Sequence, residues 1–248
     1  MASFERGWAS PAEEKGINDM KILKTTLLAA AASLTMAGAA AAQESPFDFS
    51  FNIGAATDYV FRGVSQTDEN PQVFGGVDTT LYGIGYAGAW VSNVDFGDGT
   101  DFEYDLYAGV KPTVGPVTLD LGVLYYGYAN QPSGASLDYV EWKAAASVPV
   151  GPATVGAALF YSDNFFGDTG NATYVEVNAA APIAEKFTVT GALGHQTVEG
   201  PADYTTWNVG VGYALNDNVG LDLRYHGADE DFGDLADDRV VLGIKAAF

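Results

Sequence analysis

From Arg239 to Phe248 the chain alternates with a period of two. Val240, Leu242, Ile244, Ala246 and Phe248 share one parity; Arg239, Gly243, Lys245 and Ala247 share the other, with Val241 the exception. Successive side chains of an extended strand point to opposite faces, so this spacing makes a strand with one apolar and one polar face. The pattern recurs along the chain. Phe47, Phe49, Phe51, Ile53 and Ala55 alternate with Asp48, Ser50, Asn52 and Gly54. Val117, Leu119, Leu121, Val123 and Tyr125 oppose Thr118, Asp120 and Gly122, and Val219, Leu221, Leu223 and Tyr225 oppose Asp222, Arg224 and His226.

Laid out this way, the spacing predicts twelve strands: about 47–63, 72–82, 85–94, 102–111, 117–127, 138–148, 153–162, 172–181, 187–197, 204–214, 219–227 and 238–248. The connections fall into two alternating classes. Short, turn-like ones hold Tyr82-Gly83-Ile84, Pro112 to Pro116, Pro149 to Pro152, Pro182 to Lys186 and Leu215 to Asn218. Longer acidic ones include 65–71, 95–100, 164–171 and 228–237. Short turns on one side and long polar loops on the other are the pattern of an outer-membrane barrel, and an even strand count puts both termini on the periplasmic side. The expected fold is therefore all-β, a transmembrane antiparallel up-and-down barrel of about 12 strands.

A soluble sandwich also has short alternating strands, but two features count against it. Trp90, Tyr104, Tyr125, Trp142, Trp207, Tyr213 and Tyr225 close the apolar stripes as interface girdles would. The opposite stripes carry charges deep within strands, and unpaired ions in a dry core cost several kcal/mol each (of order ~5). A wet lumen tolerates them. The residues expected to line it are Asp58, Arg62, Glu103, Asp105, Asp120, Glu141, Lys143, Glu176, Asp222, Arg224, Arg239 and Lys245, with Asp48, Asp78 and Lys111 on the same parity.

The N-terminal end has its own logic. Met20-Lys21-Ile22-Leu23-Lys24 is a basic start, 27–37 is a short apolar run, and Ala40-Ala41-Ala42 before Gln43 is a small-residue cleavage site, the parts of a secretory signal peptide over 20–42. Residues 1–19 carry Glu5, Glu13, Glu14 and Asp19, wrong chemistry for such a start, and read as a mis-assigned extension. Cleavage after Ala42 would leave a barrel at 43–248 with the net charge still −21. That charge argues against nucleic acid as a partner, because phosphate binding needs clustered Lys and Arg. With no cysteine, neither disulfides nor thiol chemistry enter.

Ala56-Thr57-Asp58-Tyr59-Val60-Phe61-Arg62-Gly63-Val64-Ser65-Gln66-Thr67 resembles the opening motif of the TorF family, a proteobacterial group of porin-type outer-membrane proteins. Further matches are Trp90-Val91-Ser92-Asn93-Val94-Asp95-Phe96, Glu103 to Gly109, and Tyr139-Val140-Glu141-Trp142. The ending on Phe248 is similar to the C-terminal signature of such barrels, though Ala246 stands where an aromatic is frequent. The resemblance implies an outer-membrane location, lipid and lipopolysaccharide as surroundings, and assembly machinery that reads the last strand. It implies no defined substrate and no cofactor.

With carboxylates in modest excess on the lumen stripe and dominant in the loops, the expected function is a narrow pore for small solutes or ions that prefers cations. The alternative is a closed lumen, its charges paired into a stiffening network, with the acidic loops carrying a structural or adhesive role. Asp95 to Asp101 and Asp229 to Asp234 space carboxylates with glycine, as Ca²⁺ loops do, but lack the glutamate that ends an EF-hand loop. Neither histidine has the nucleophile that a general base needs within reach: His195 is in phase with the outward Val189 and Leu193, and His226 with the lumen. No enzyme is expected, and no large flat apolar interface asks for an oligomer.

Overall fold

The computed structural model describes residues 47–200, 203–229 and 233–248. The signal-peptide and extension readings, and Glu230 to Phe232 of one acidic loop, lie outside them. Fifteen strands follow in order: β1 (Phe47–Ala56), β2 (Val60–Phe61), β3 (Val64–Ser65), β4 (Gln72–Leu81), β5 (Gly85–Asn93), β6 (Phe102–Val110), β7 (Thr113–Val114), β8 (Val117–Ala129), β9 (Tyr139–Val150), β10 (Ala153–Ser162), β11 (Ala172–Ala184), β12 (Phe187–Val198), β13 (Tyr204–Ala214), β14 (Val219–Ala228) and β15 (Arg239–Ala247). The twelve long ones pair antiparallel, each with its sequence neighbour, and β15 returns to β1. The result is a closed 12-stranded barrel, which leaves no sheet edge.

Closure brings Phe248 beside Phe51, each donating its N–H to the other's carbonyl at 2.9 Å. The described chain thus starts and finishes at the end of the barrel that carries the short turns. The long connections 57–71, 94–101, 130–138 and 163–171 gather at the other end, called the loop end below.

The parity read from the sequence decides the two faces. Phe49, Phe51, Leu106, Leu193, Val209, Leu223 and Val240 project from the outer wall, each more than half exposed. Ser50, Gln72, Asp78, Ser92, Thr188, Thr190 and Thr206 are buried inside it. This is the inverse of a water-soluble protein, and suits a barrel wrapped in hydrocarbon.

Two assignments change. The first predicted strand does not run to 63: it stops at Ala56, and 57–71 turns inward as a separate two-stranded ribbon of β2 and β3. Asp58 and Arg62 therefore stand on an inserted hairpin, not on the wall, and Gly63 is a turn residue, not a strand residue. Trp90 also changes sides. It shares parity with the buried Ser92 and packs edge-on against Tyr59 of the hairpin, so it belongs to the lumen and not to an outer girdle.

Large inward side chains lie closely across several glycines of the wall, as Tyr86 does over Gly109 and Gly122. At Gly109 of β6 a Cβ would sit 2.4 Å from the Leu121 carbonyl oxygen and 2.5 Å from the Tyr86 hydroxyl. Backbone cannot yield as a side chain can. Gly109→Ala is expected to destabilise the barrel by about 1–3 kcal/mol, the usual range for overpacking. The temperature at which the folded band on an unheated gel converts to the unfolded one should fall, and an unchanged conversion temperature would refute the close approach.

Candidate functional site

The interior of the barrel is the candidate site, and the inserted hairpin dominates it. At its tip Arg62 and Gly63 have φ of 46° and 82°. Positive φ at both central residues is what a two-residue type I′ turn needs. A Cβ on Gly63 would meet Ala228 Cβ at 3.1 Å and the Gly227 carbonyl at 3.2 Å, so the tip abuts β14. The neck is held by Asp58, whose carboxylate accepts from Ser65 Oγ at 2.7 Å and pairs with Arg239 at 2.8 Å.

Arg62 reaches from this tip to a different part of the wall. Its two terminal nitrogens donate to both oxygens of Glu141 on β9 at 2.8 and 2.7 Å, and one also donates to Gln196 Oε1 on β12 at 2.8 Å. Tyr174 and Phe160 lie 4.3 and 5.1 Å from the guanidinium carbon. Arg62 and Glu141 side chains are 6% and 2% exposed. A pair so dry depends on bidentate geometry and on further hydrogen bonds such as the one to Gln196.

The other predicted lining residues face the interior in separate groups. Glu103 accepts from Tyr59 of the hairpin at 3.1 Å. Asp105, two residues on along β6, is buried beside it. Glu176 accepts from Asn178 at 2.9 Å. Nearer the turn end, Asp120 binds Lys143 at 2.8 Å, Tyr86 at 2.7 Å and Lys111 at 3.7 Å. Asp222 and Arg224 pair at 3.0 Å, with Arg224 also on Asn208 and Thr190. Lys245 is half-buried, and no ion pair to it occurs among the described residues.

An aromatic cluster that parity alone did not single out covers one side of the loop end. Tyr126 and Tyr139 stack at 4.4 Å, Phe165 packs on Tyr139, and Phe61 of the hairpin packs on Tyr126. Phe96 and Phe166 extend it through loops 94–101 and 163–171. The signal was present in Tyr-Tyr-Gly-Tyr at 125–128 and Phe-Phe at 165–166, but aromatics of both parities near strand ends read as girdle.

The acidic loops turn their carboxylates on their own chain. Asp95 accepts from Gly97 N–H at 3.0 Å, Asp98 from Thr100 N–H at 2.9 Å, and Asp101 from Asn130 at 2.8 Å. The Thr100 N–H holds Asp98 below the usual carboxylate range, so it stays ionised. Among the described residues, no group of three metal-ligating side chains converges. On the outer wall His195 Nδ1 lies 3.3 Å from Thr205 Oγ1, while Asp229 accepts from the Thr205 N–H. His226 faces inward, in phase with the buried Arg224.

A closed twelve-stranded barrel, apolar outside and charged inside, is the fold of the outer-membrane porins and channels. Residues 40–248 match the family described as a bacterial protein of unknown function (Gcw_chp), and the chain belongs to that family. Among solved structures it is similar to the KdgM porin, with a TM-score of 0.58 at 9% identity over 80% of this chain and 99% of that one. It is similar to the same porin in complex with disordered oligogalacturonate, TM-score 0.60 at 9% identity with the same coverage. A third is the COG4313 outer membrane channel from Pseudomonas putida F1, TM-score 0.56 at 11% identity, over 86% of this chain and 100% of that one. No curated protein matches the chain in sequence.

Proposed function

We propose that this protein is an outer-membrane channel of porin type, exported and then folded into the lipopolysaccharide-bearing membrane as a monomer. In it, the inserted hairpin narrows the passage for small solutes or ions. One observation carries the reading: ionisable side chains line the inside of a closed barrel whose outside is apolar, an arrangement that suits a polar passage through a membrane. The likeness to porins in fold supports it, as does the motif resemblance to the TorF group.

Cation preference is the finer part of the proposal. On the inward face of the wall and on the hairpin within it, Asp48, Asp58, Asp78, Glu103, Asp105, Asp120, Glu141, Glu176 and Asp222 outnumber Arg62, Lys111, Lys143, Arg224, Arg239 and Lys245. Oligogalacturonate, the ligand of one similar porin, is a polyanion and a poor match for such a lumen. Planar-bilayer recording of the refolded barrel under a salt gradient should give a reversal potential of the sign set by cation flow. Anion selectivity would end the preference, and silence with a folded barrel would favour the second reading.

That second reading is a closed barrel acting through its acidic loops. The observation in its favour is the hairpin itself, tied at neck and tip by Asp58–Arg239 and Arg62–Glu141. In either case the strand ending at Phe248 is the element offered to the barrel-assembly machinery. Removing Phe248 should lower the amount of folded barrel in the outer membrane, measured by heat-modifiability of membrane fractions.

A further inference from the structure

Arg62 fills a recess that has the parts of a guanidinium receptor. Four adjacent strands of the wall build it: Glu141 from β9, Phe160 from β10, Tyr174 from β11 and Gln196 from β12. Glu141 and Gln196 are 1% and 0% exposed. Each polar member is aimed by its own neighbours. Tyr126 donates to Glu141 Oε2 at 3.1 Å, and Gln196 Nε2 donates to the Thr197 carbonyl at 3.1 Å, which turns Oε1 toward the guanidinium. A planar fork with aromatic rings over it fits a guanidinium and not a compact ammonium.

The hairpin that delivers Arg62 is not woven into the wall. Its strands β2 and β3 pair only with each other. Its main-chain ties to the barrel lie at its two ends, Thr57 N–H to the Leu242 carbonyl at 3.0 Å and Asp95 N–H to the Gln66 carbonyl at 2.8 Å. The tip can therefore leave without breaking a ladder bond of the barrel, pivoting on the neck held by Asp58 and Arg239.

We infer that the Glu141–Gln196–Tyr174 recess is a receptor for guanidinium-bearing solutes, filled in cis by Arg62, and that exchange of such a solute for Arg62 releases the tip of the hairpin. A tethered side chain competes at a high effective concentration, so exchange needs solute in the millimolar range. The gating half deepens the channel reading and rests on it; the binding half does not.

The test uses the refolded mature barrel in detergent and in bilayers, with guanidinium chloride and L-arginine as probes and sodium chloride at equal ionic strength as the control. In Arg62→Ala the recess is vacant. About 20 mM guanidinium, far below denaturing levels, should raise its unfolding temperature by about 2–5 °C. Adding Glu141→Gln to that variant should abolish the shift. If Arg62→Ala does not fold unaided, guanidinium present during refolding should restore the folded band. In bilayers the same probes should raise wild-type conductance and leave Arg62→Ala, already open, unchanged.

Absence of both the thermal shift and the refolding rescue overturns the receptor, even in a barrel that conducts. A thermal shift in a barrel that never conducts keeps the receptor and overturns the gate together with the channel reading. A conducting wild type indifferent to both probes, with the shift present, overturns the gate alone.

Discussion

Replacing Glu141 with leucine should loosen the hairpin more than any other single change in the interior. Arg62 would keep its charge in a site nearly closed to water, with only Gln196 and the aromatic rings to face. Removing one partner of a buried ion pair costs about 3–5 kcal/mol, because the other charge remains desolvated. The hairpin would leave the recess before paying that in full, since no ladder bond holds it to the wall. Amide exchange at 58–66 should therefore accelerate sharply while exchange in β8 to β12 stays slow. Pairing the change with Arg62→Met should recover most of the lost protection, because two apolar groups in that space leave no stranded charge. Unaltered exchange in the single variant would show that the Arg62–Glu141 contact does not hold the hairpin.

The second large effect is on the outer wall. Leu223 sits at the middle of β14, 52% exposed, opposite Val211 and Leu242 of the neighbouring strands. Leu223→Arg should destabilise the barrel in bilayers by about 2–4 kcal/mol, the cost of arginine near the bilayer midplane. The next residue in the chain, Arg224, is already an arginine and is satisfied by Asp222, Asn208 and Thr190 inside the lumen. A one-residue difference thus separates a stabilised guanidinium from a stranded one. Equilibrium unfolding in lipid vesicles measures it. A Leu223→Arg barrel as stable as the parent would place that face away from hydrocarbon and undo the membrane assignment.

The strands and their two faces were legible because each residue of a pleated strand meets one of two solvents, lipid or water, with a strict period of two. That local rule located eleven of the wall strands to within three residues and overran the first by seven, from Ala56 to 63. It also put Glu103, Asp105, Asp120, Glu141 and Arg224 on the inward parity. Trp90 could have been placed by the same rule, since it shares parity with Ser92; its size near a strand end suggested a girdle instead. The hairpin was less legible. Thr57, Tyr59 and Phe61 continue the alternation of β1 past Ala56, and Arg62-Gly63 is a weaker turn signal than Asn-Gly or Asp-Gly. Nothing local marks the point where the chain leaves the wall.

What the sequence determined by itself was the class of structure: a closed barrel with an apolar coat and a charged interior, because period-two alternation depends only on neighbours one and two residues away. What the tertiary structure alone decided was which charges neutralise one another. Arg62 meets Glu141 and Gln196 across 79 and 134 residues of chain, and Arg239 meets Asp58 across 181. Pairings at such separations follow from barrel closure and from the angle at which the hairpin enters, and neither quantity is written in any local pattern.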